Sequence, residues 1–510
     1  MLASIPSATI VGIHGSQVAV EVYVGDGLPG FRIVGLPDTI VREARDRVRA
    51  AMLETGYAWP KHNIVVNLAP TAERKSGAGL DVAIAVGLLA ASGQLPPERT
   101  AGHAFIGELG LDGRVRRVAG VAPMVDALGE IDVVVPDENA GEATVAARRA
   151  VRVAATLGEI VAALTGDQPW RAIDRVAVPD EPSRPPPDLA DVRGQPVARQ
   201  ALEVAAAGGH NLLFVGSPGS GKTMLAQRLP GLLPPLDRDR ALATTMVHSA
   251  AGLRLPPGGL VDHPPFRAPH HTSSTVALVG GGSVQLRPGE ASLAHNGVLF
   301  LDELGEFGRG ALEALREPLE EGVVRIARAN VHAVLPARFV LVAATNPCPC
   351  GGGPPGACQC DDVARVRYLR RLSGPLSDRF DLRVVVHRPS VDDLFAGEGG
   401  EPSAAARDRV VAAREIALHR AGKVNAALLP DELDDVAPLA AEARELLRAE
   451  MEHDRLTGRG YHKVRRVART ITDLGRSGEH VVGLAEVELA LSMRTALPRS
   501  GPVEVMRWTA

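Results

Sequence analysis

Apolar positions along the chain switch between two periods. From Ala8 to Val24 they alternate, as on a strand with one buried face, with breaks at Gly12 and Gly15. From Thr39 to Thr55 they recur at helical spacing, which sets Arg42, Arg45, Arg47 and Arg49 on the outer faces. Asn63 to Leu68 predicts a strand, Leu80 to Ala91 a buried helix and Asp132 to Pro136 another strand. Val178-Pro-Asp-Glu-Pro-Ser-Arg-Pro-Pro-Pro187 has neither period and reads as a linker. Beyond it, Pro196 to Ala207 predicts a helix and the fully apolar Leu212 to Val215 a buried strand, followed by a glycine-rich turn and a second helix. Val298 to Leu301 and Arg338 to Ala344 predict two more strands. Gly397, Gly399, Gly400 and Pro402 interrupt the pattern between Ser390 and Ser403. Helical spacing then returns in Ala404–Ala421, Ala440–His453, His462–Leu474 and Leu484–Met493. The pattern predicts a multidomain α/β chain: a first domain at 1–175, a linker at 176–187, an α/β core at 188–390 and a helical part at 391–510.

Composition agrees with that division. At 510 residues the chain is too long for one ordinary core. Aromatics make up only 3%, so Ala, Val and Leu fill the interior. A formal net charge of -4 gives no global attraction for polyanions, and any nucleic-acid contact needs a local basic patch. The longest apolar run, Val82 to Ala91, is too short to span a membrane. Met1-Leu-Ala-Ser-Ile-Pro6 lacks the basic lead of a secretory signal. All four cysteines lie between Cys348 and Cys360, which suits a clustered thiol site in a reducing compartment better than a disulfide framework. The expected location is cytoplasmic.

The chemistry concentrates after the strand Leu212–Val215. Gly216-Ser217-Pro218-Gly219-Ser220-Gly221-Lys222-Thr223 is a complete phosphate-binding loop between a strand and a helix. Its glycines let backbone N–H groups face the phosphates of ATP, Lys222 adds a charge at the β- and γ-phosphates, and Thr223 offers a hydroxyl to Mg²⁺. Val298-Leu-Phe-Leu-Asp302-Glu303 ends a buried strand in two carboxylates: Asp302 for the Mg²⁺ shell, Glu303 to polarise the attacking water. Asn346, after a third strand, can reach the γ-phosphate and that water. Arg379, in Ser377-Asp-Arg-Phe-Asp381, reads as a finger that enters a neighbouring subunit's pocket, against the plainer reading of a surface arginine paired with Asp378 or Asp381. Of the arginines between Arg459 and Arg469, Arg466 is the first candidate to touch the nucleotide phosphates and Arg459 the second; the others read as a solvated basic face.

Asp191-Val-Arg-Gly-Gln195, Gly208-Gly-His-Asn211, Phe266-Arg-Ala-Pro-His-His-Thr-Ser-Ser274, Gly289-Glu-Ala-Ser-Leu-Ala-His295, Asn346-Pro-Cys-Pro-Cys-Gly351 and Ser373-Gly-Pro-Leu-Ser-Asp-Arg-Phe-Asp381 together resemble the magnesium-chelatase-like AAA+ ATPases of the YifB/ComM family. The resemblance runs from the first strand to the last helix. It implies a homohexameric ring and an AAA+ P-loop core of α/β/α type with a helix-2 insertion, in which Asn346 is sensor 1 and Arg466 sensor 2. It implies a C-terminal helical lid, with Asp191 to Gln195, and so Gly194 and Gln195, near the adenine. It also implies a DNA motor that unwinds or branch-migrates junctions during recombination or natural transformation. The glycine-rich Val279–Val284 suits a loop projecting into the ring's pore. Lys75-Ser-Gly-Ala-Gly79, Gly107–Val115 and Val133–Asn139 resemble the proteolytic domain of Lon, a ribosomal-protein-S5-domain-2-like α+β fold. Gly77 stands at the serine position and Ala122 at the lysine position, so the fold is expected without peptidase activity. Two rival functions remain: a metal-inserting chaperone like magnesium chelatase, and an ATP-dependent protease, against which Gly77 and Ala122 argue. A non-enzymatic scaffold would require a broken ATP site.

Cys348-Pro-Cys350 and Cys358-Gln-Cys360 can supply four thiolates to a structural Zn²⁺; the alternative is four reduced thiols in a loop. The pair His270-His271 reads as hydrogen bonding within the insertion, or as a contact to DNA in the pore. Arg455, Arg459, Lys463, Arg465, Arg466, Arg469 and Arg476 form the densest basic stretch, and Arg365, Arg367, Arg370 and Arg371 a second. With few aromatics to stack on bases, DNA binding is expected along the phosphate backbone, salt-dependent and without base specificity.

Overall fold

The computed structural model describes residues 1–71, 75, 77–173, 187–282, 286–328, 331–352, 358–361, 363–364, 367–368, 376–395, 400–475 and 480–494. Ser76, most of the linker, Ser283 and Val284, Arg365, Arg370, Arg371, Ser373 and Arg476 lie outside the described residues.

In the first part, β1 (Leu2–Val11), β2 (His14–Gly25), β3 (Gly30–Val34) and β4 (Asn63–Ala69) form a sheet in the order β1-β2-β4-β3. The alternation that predicts a strand holds, and the turn falls at Gly12; Gly15 lies inside β2 and does not break it. Helix α1 (Thr39–Glu54) is capped by Asp38, whose carboxylate accepts from the Val41 amide at 2.8 Å. Arg47 departs from the expectation of an outer face. It forks onto the buried Asp81 at 2.6 and 3.0 Å, because a carboxylate at the start of the apolar helix α2 (Asp81–Ala91) requires a partner. A second, parallel sheet joins β5 (His103–Phe105), β6 (Asp132–Pro136) and β7 (Val151–Ala154), with helices α3 (Val121–Leu128), α4 (Ala140–Ala146) and α5 (Leu157–Thr165) around it.

The central part opens with α6 (Pro196–Gly208) and β8 (Leu212–Val215), then α7 (Lys222–Ala226), α8 (Arg238–Ala250), β9 (Phe266–Arg267) and α9 (Thr275–Val279). Strand β10 (Val298–Leu301), the hairpin β11 (Val323–Arg328) and β12 (Val331–Pro336), β13 (Val340–Thr345) and β14 (Leu382–Val385) complete it. Five strands form one all-parallel sheet in the order β9-β10-β13-β8-β14. Strands β8, β10 and β13 are buried along their whole length, as a parallel sheet covered on both faces requires.

Apolar packing continues from the first part into the central sheet. One apolar cluster takes Ile10, Ala122 and Val133 from the first part together with Leu213, Val215 and Leu299 from the central sheet. Polar contacts cross the same seam: Ser249 donates to Glu142 at 2.6 Å and Arg117 donates to the Leu253 carbonyl at 2.9 Å. Helices α10 (Ser403–Ala421), α11 (Ala441–Glu452), α12 (Gly458–Leu474) and α13 (Leu484–Ser492) make the C-terminal part, with α12 starting four residues earlier than the His462 start its spacing suggests. Thr457 caps it by accepting from the Gly460 amide at 3.1 Å.

Candidate nucleotide site

Strand register brings the motifs together. Val215 pairs with Thr345, and Leu301 pairs with Ala343, so three parallel strands end at one edge of the sheet. The residues that follow them are Gly216, Asp302 and Asn346, and that edge is where parallel α/β sheets bind ligands. Gly216 passes against Val386, where a Cβ would stand 2.3 Å from the carbonyl oxygen. Gly219 and Gly221 take φ of +77° and +92°, the left-handed region that lets Ser217 to Ser220 wrap back over the strand end. Lys222 is enclosed. Its ammonium donates to the Gly216 and Ser217 carbonyls at 2.8 and 3.0 Å and to Asn346 Oδ1 at 3.2 Å. Burial draws its pKa down against the pull of Asp302 and Glu303. Thr223 donates to Asp302 Oδ2 at 2.7 Å, so the hydroxyl and carboxylate suited to a hard divalent cation already face each other.

Glu303 is one of the non-glycine residues with positive φ, at +52°, and its amide donates to Asp302 Oδ1 at 2.9 Å. Its carboxylate oxygen Oε2 lies 3.0 Å from His271 Nδ1. The histidine pair therefore does not close on itself. His270 bonds Thr272 Oγ1 at 2.9 Å, while His271 reaches Glu303. Behind Asn346, the Thr345 hydroxyl and the buried Tyr368 hydroxyl are 3.0 Å apart, and the Tyr368 ring occupies the space where Gly305 has no side chain.

Arg379 sits on the short turn Ser377–Arg379 and is ion-paired with Glu320, with neither Asp378 nor Asp381 as partner. Asp381 is instead taken by Lys463 at 2.9 Å, with His210 at 3.6 Å and the Asn211 amide at 3.1 Å. The basic stretch of α12 is mostly internal and not a solvated face. Arg465 is 4% exposed and pairs with Asp434 and two helix-end carbonyls, and Arg469 is 3% exposed and pairs with Asp473. Asp434 lies thirty-one residues back, outside the stretch, whereas Asp473 is four residues from Arg469 on the same helix; what the charge pattern does not show is that both arginines are buried. Arg466 differs: among the described residues its guanidinium has no hydrogen bond, and burial lowers its pKa against Asp381 and Glu432. Gln195 begins α6 in a left-handed conformation and donates to the His387 carbonyl, and Gly194 packs on Asp393. Arg228 ties this segment to α7, the helix that follows the phosphate loop, through Asp191 at 3.1 Å and the Met224 carbonyl at 2.8 Å.

The four cysteine sulfurs lie within 4.8 Å of one another, with three pairs at 3.4 to 3.6 Å. A tetrahedral shell with Zn–S of about 2.3 Å has edges of about 3.8 Å, so the group fits Zn²⁺. The Gly352 and Gln359 amides, followed by the Cys360 and Cys348 thiols, pull the Cys350 thiol down to about 6, which favours the ligating thiolate. The knuckle also abuts the phosphate loop: Gly351 has φ +68°, and a Cβ there would stand 2.5 Å from Pro218 Cδ.

Three family models match in tandem: subunit ChlI of Mg-chelatase at 20–139, magnesium chelatase subunit ChlI at 188–394, and its C-terminal region at 400–494. The chain is 42% identical over 499 residues to competence protein ComM of Haemophilus influenzae, covering 97% of each. It belongs to the magnesium-chelatase-like YifB/ComM family. Two further relatives of similar length are Rv2897c of Mycobacterium tuberculosis, 45% identical over 96% of this chain and 97% of that one, and YifB of Escherichia coli, 42% identical over 93% and 94%. A partial likeness, 30% identity over 177 residues, links 34% of this chain to 17% of the DNA replication licensing factor mcm6 of Dictyostelium discoideum.

Membership in the YifB/ComM family makes the chain an AAA+ ATPase. Among the described residues no helix is long and apolar enough to cross a membrane. Three neighbours of this family member's site carry no readable signal in the sequence. Arg388 donates to the Pro218 carbonyl at 3.1 Å, Tyr368 backs Thr345, and Glu320 holds Arg379. Each belongs to no motif, and each reaches the site only through the fold.

Proposed function

We propose that the chain is an ATP-driven motor that assembles as a ring and moves along DNA. The observation that carries the ATP half is the convergence of Lys222 with Asn346 and of Thr223 with Asp302 at the ends of adjoining parallel strands. In this reading Gly216 to Thr223 wrap the phosphates, and Lys222 exchanges its carbonyl partners for phosphate oxygens. Thr223 and Asp302 hold Mg²⁺, which neutralises phosphate charge. Glu303 takes the proton of the attacking water, and Asn346 orients that water. Gly194 and Gln195 border the adenine, and Arg466, unpaired by hydrogen bonds, turns to the phosphates. Arg379 leaves Glu320 to complete a neighbour's site in a homohexamer. The cysteine group holds a structural Zn²⁺ with no open position for catalysis. The first part is read as a Lon-like fold without peptidase chemistry: Gly77 has no side chain and Ala122 is buried in α3.

The DNA half rests on the competence protein and the replication licensing factor among the relatives. With α12's cations mostly committed inside the protein, contacts would come from scattered exposed arginines such as Arg367, following phosphates and weakening steeply with salt. Fluorescence anisotropy with labelled forked and single-stranded DNA, with an ATP analogue at low salt, tests this; absence of binding there, with ATP turnover indifferent to DNA, sinks the DNA reading. A second reading, an ATPase that assists metal insertion, draws on the magnesium chelatase family models. ATP turnover stimulated by a tetrapyrrole and not by branched DNA would favour it.

A further inference from the structure

The cysteine knuckle touches two parts of the nucleotide site, and the ATPase assignment uses neither contact. We infer that the knuckle, closed on its metal, is a positioning element of that site: it fixes Asn346 through the chain and Pro218 of the phosphate loop through space, so that ATP binding and turnover depend on its metal. The inference rests on the Zn²⁺ reading of the four cysteines.

The first contact runs along the backbone. Strand β13 ends at Thr345, Asn346 follows, and a single proline separates Asn346 from Cys348. Pro347 has a fixed φ, so a displacement of Cys348 is carried back to Asn346 with little slack. Cys348 is 3% exposed, and its sulfur lies 3.4 Å from those of both Cys350 and Cys358. Asn346 has to be placed accurately, because its Oδ1 accepts from the Lys222 ammonium at 3.2 Å.

The second contact crosses from knuckle to loop. The Gly351 amide donates to the Cys348 carbonyl at 3.0 Å, and Gly351 takes φ of +68°. That turn sets Gly351 against Pro218, where a Cβ would stand 2.5 Å from Cδ and 2.6 Å from Cγ. The Pro218 carbonyl accepts from Arg388 at 3.1 Å, so this part of the loop is held by the chain after β14 and by the knuckle together. A loop that binds phosphate through its backbone N–H groups loses their alignment when one of its residues shifts.

The metal decides whether the knuckle can do this. Between Cys350 and Cys358 lie Gly351-Gly-Gly-Pro-Pro-Gly-Ala357, a span without a bulky apolar side chain to pack. Among the described residues none of the four cysteines belongs to the apolar clusters of the core. Sulfur chemistry gathers them instead. The four sulfurs lie within 4.8 Å of one another, and the Cys350 and Gly352 amides donate to the Cys360 and Cys350 sulfurs, each at 3.4 Å. Thiolates this close repel one another unless a cation sits among them. Loss of the metal therefore opens the knuckle while leaving the sheet in place.

The test compares the full chain as zinc-loaded, zinc-stripped and zinc-reloaded protein, all assayed in Mg²⁺, with metal content checked by elemental analysis. Stripped protein should bind a fluorescent ATP analogue about tenfold more weakly. Its kcat should fall by up to about 10²-fold, the cost of displacing a reacting group by about 1 Å. Its circular dichroism should be unchanged, and added Zn²⁺ should restore both functions. In an Asn346→Ala background, stripping should still weaken binding through Pro218 but no longer lower kcat, whereas a merely structural metal would lower kcat there too. Stripped, folded protein that binds and hydrolyses ATP as the loaded form does overturns the coupling and leaves the Zn²⁺ reading standing. Protein that neither carries nor takes up Zn²⁺ refutes that reading and the inference with it. If stripping unfolds the chain, Gly351→Ala decides, since it keeps all four cysteines: wild-type affinity for the analogue, with the zinc retained, overturns the contact with Pro218.

Discussion

Replacing Lys463 with alanine removes the cation that faces a buried carboxylate at the joint between the central sheet and α12. Asp381 and Lys463 are 10% and 14% exposed, and their charged atoms are 2.9 Å apart. Burial alone would raise the Asp381 carboxyl, but Lys463 and then His210 overcome it and hold the pKa well below the usual carboxylate range. Breaking a buried pair by removing one partner costs about 3–5 kcal/mol, because the remaining charge is left in low dielectric. Here Asp381 keeps the Asn211 amide at 3.1 Å and His210 at 3.6 Å, which argues for the lower end, about 3 kcal/mol. At roughly 2–4 °C per kcal/mol for a cooperative unit of 150–250 residues, the melting temperature should fall by about 6–12 °C. A carboxyl depressed on folding stabilises above its unfolded pKa of about 3.9 and ceases to do so as the pH falls through the folded value. The stability that wild type gains from this pair should therefore be constant from pH 8 to pH 5 and be lost only on stronger acidification. Differential scanning calorimetry across that range measures it, with Asp381→Asn added to Lys463→Ala as the control that should recover part of the loss. A Lys463→Ala melting point within about 1 °C of wild type at pH 7 would refute the reasoning that this pair is buried and needed.

Other substitutions probe the site itself. Gly351→Ala places a Cβ 2.5 Å from Pro218 at a left-handed backbone position that costs a non-glycine residue about 1–2 kcal/mol, so the melting point should fall by about 2–8 °C, and the displaced Pro218 should weaken binding of a fluorescent ATP analogue by roughly tenfold. Cys350→Ser combined with Cys358→Ser should lower bound zinc, measured by elemental analysis of purified protein, from about one per chain to near zero; unchanged metal content would remove the Zn²⁺ assignment. Arg379→Ala should leave folding intact and cut ATP turnover by about 10³-fold, and mixing it with Glu303→Gln subunits should restore part of the rate, since each supplies what the other lacks.

The sequence was most informative where chemistry and local period coincide. The run from Leu212 through Thr223 announces strand, loop and helix at once, and Asp132–Pro136 forms the strand that its apolar run predicts. Charged residues were harder to place, because their environment is set by distant partners. The helical position of Arg47 points it outward, yet Asp81, thirty-four residues on, draws it inward. Arg465 and Arg469 belong to a stretch that reads as a basic face, yet both are buried and paired, Arg465 with the exposed Asp434 thirty-one residues back and Arg469 with Asp473 on its own helix. The boundary at 175 followed the proline-rich composition of the linker, which says nothing of how α3 and α4 pack on α8. His271 was visible as half of a pair, but only the parallel pairing of β9 with β10 brings it to Glu303.

The central claim is that one loop and one acid pair grip and split ATP. Parallel measurement of ATP-analogue binding and ATP turnover in wild type, Lys222→Ala and Glu303→Gln tests it most directly. The account predicts that Lys222→Ala loses binding and turnover together, and that Glu303→Gln keeps binding while turnover drops by about 10²-fold or more. Wild-type hydrolysis by either variant would contradict it.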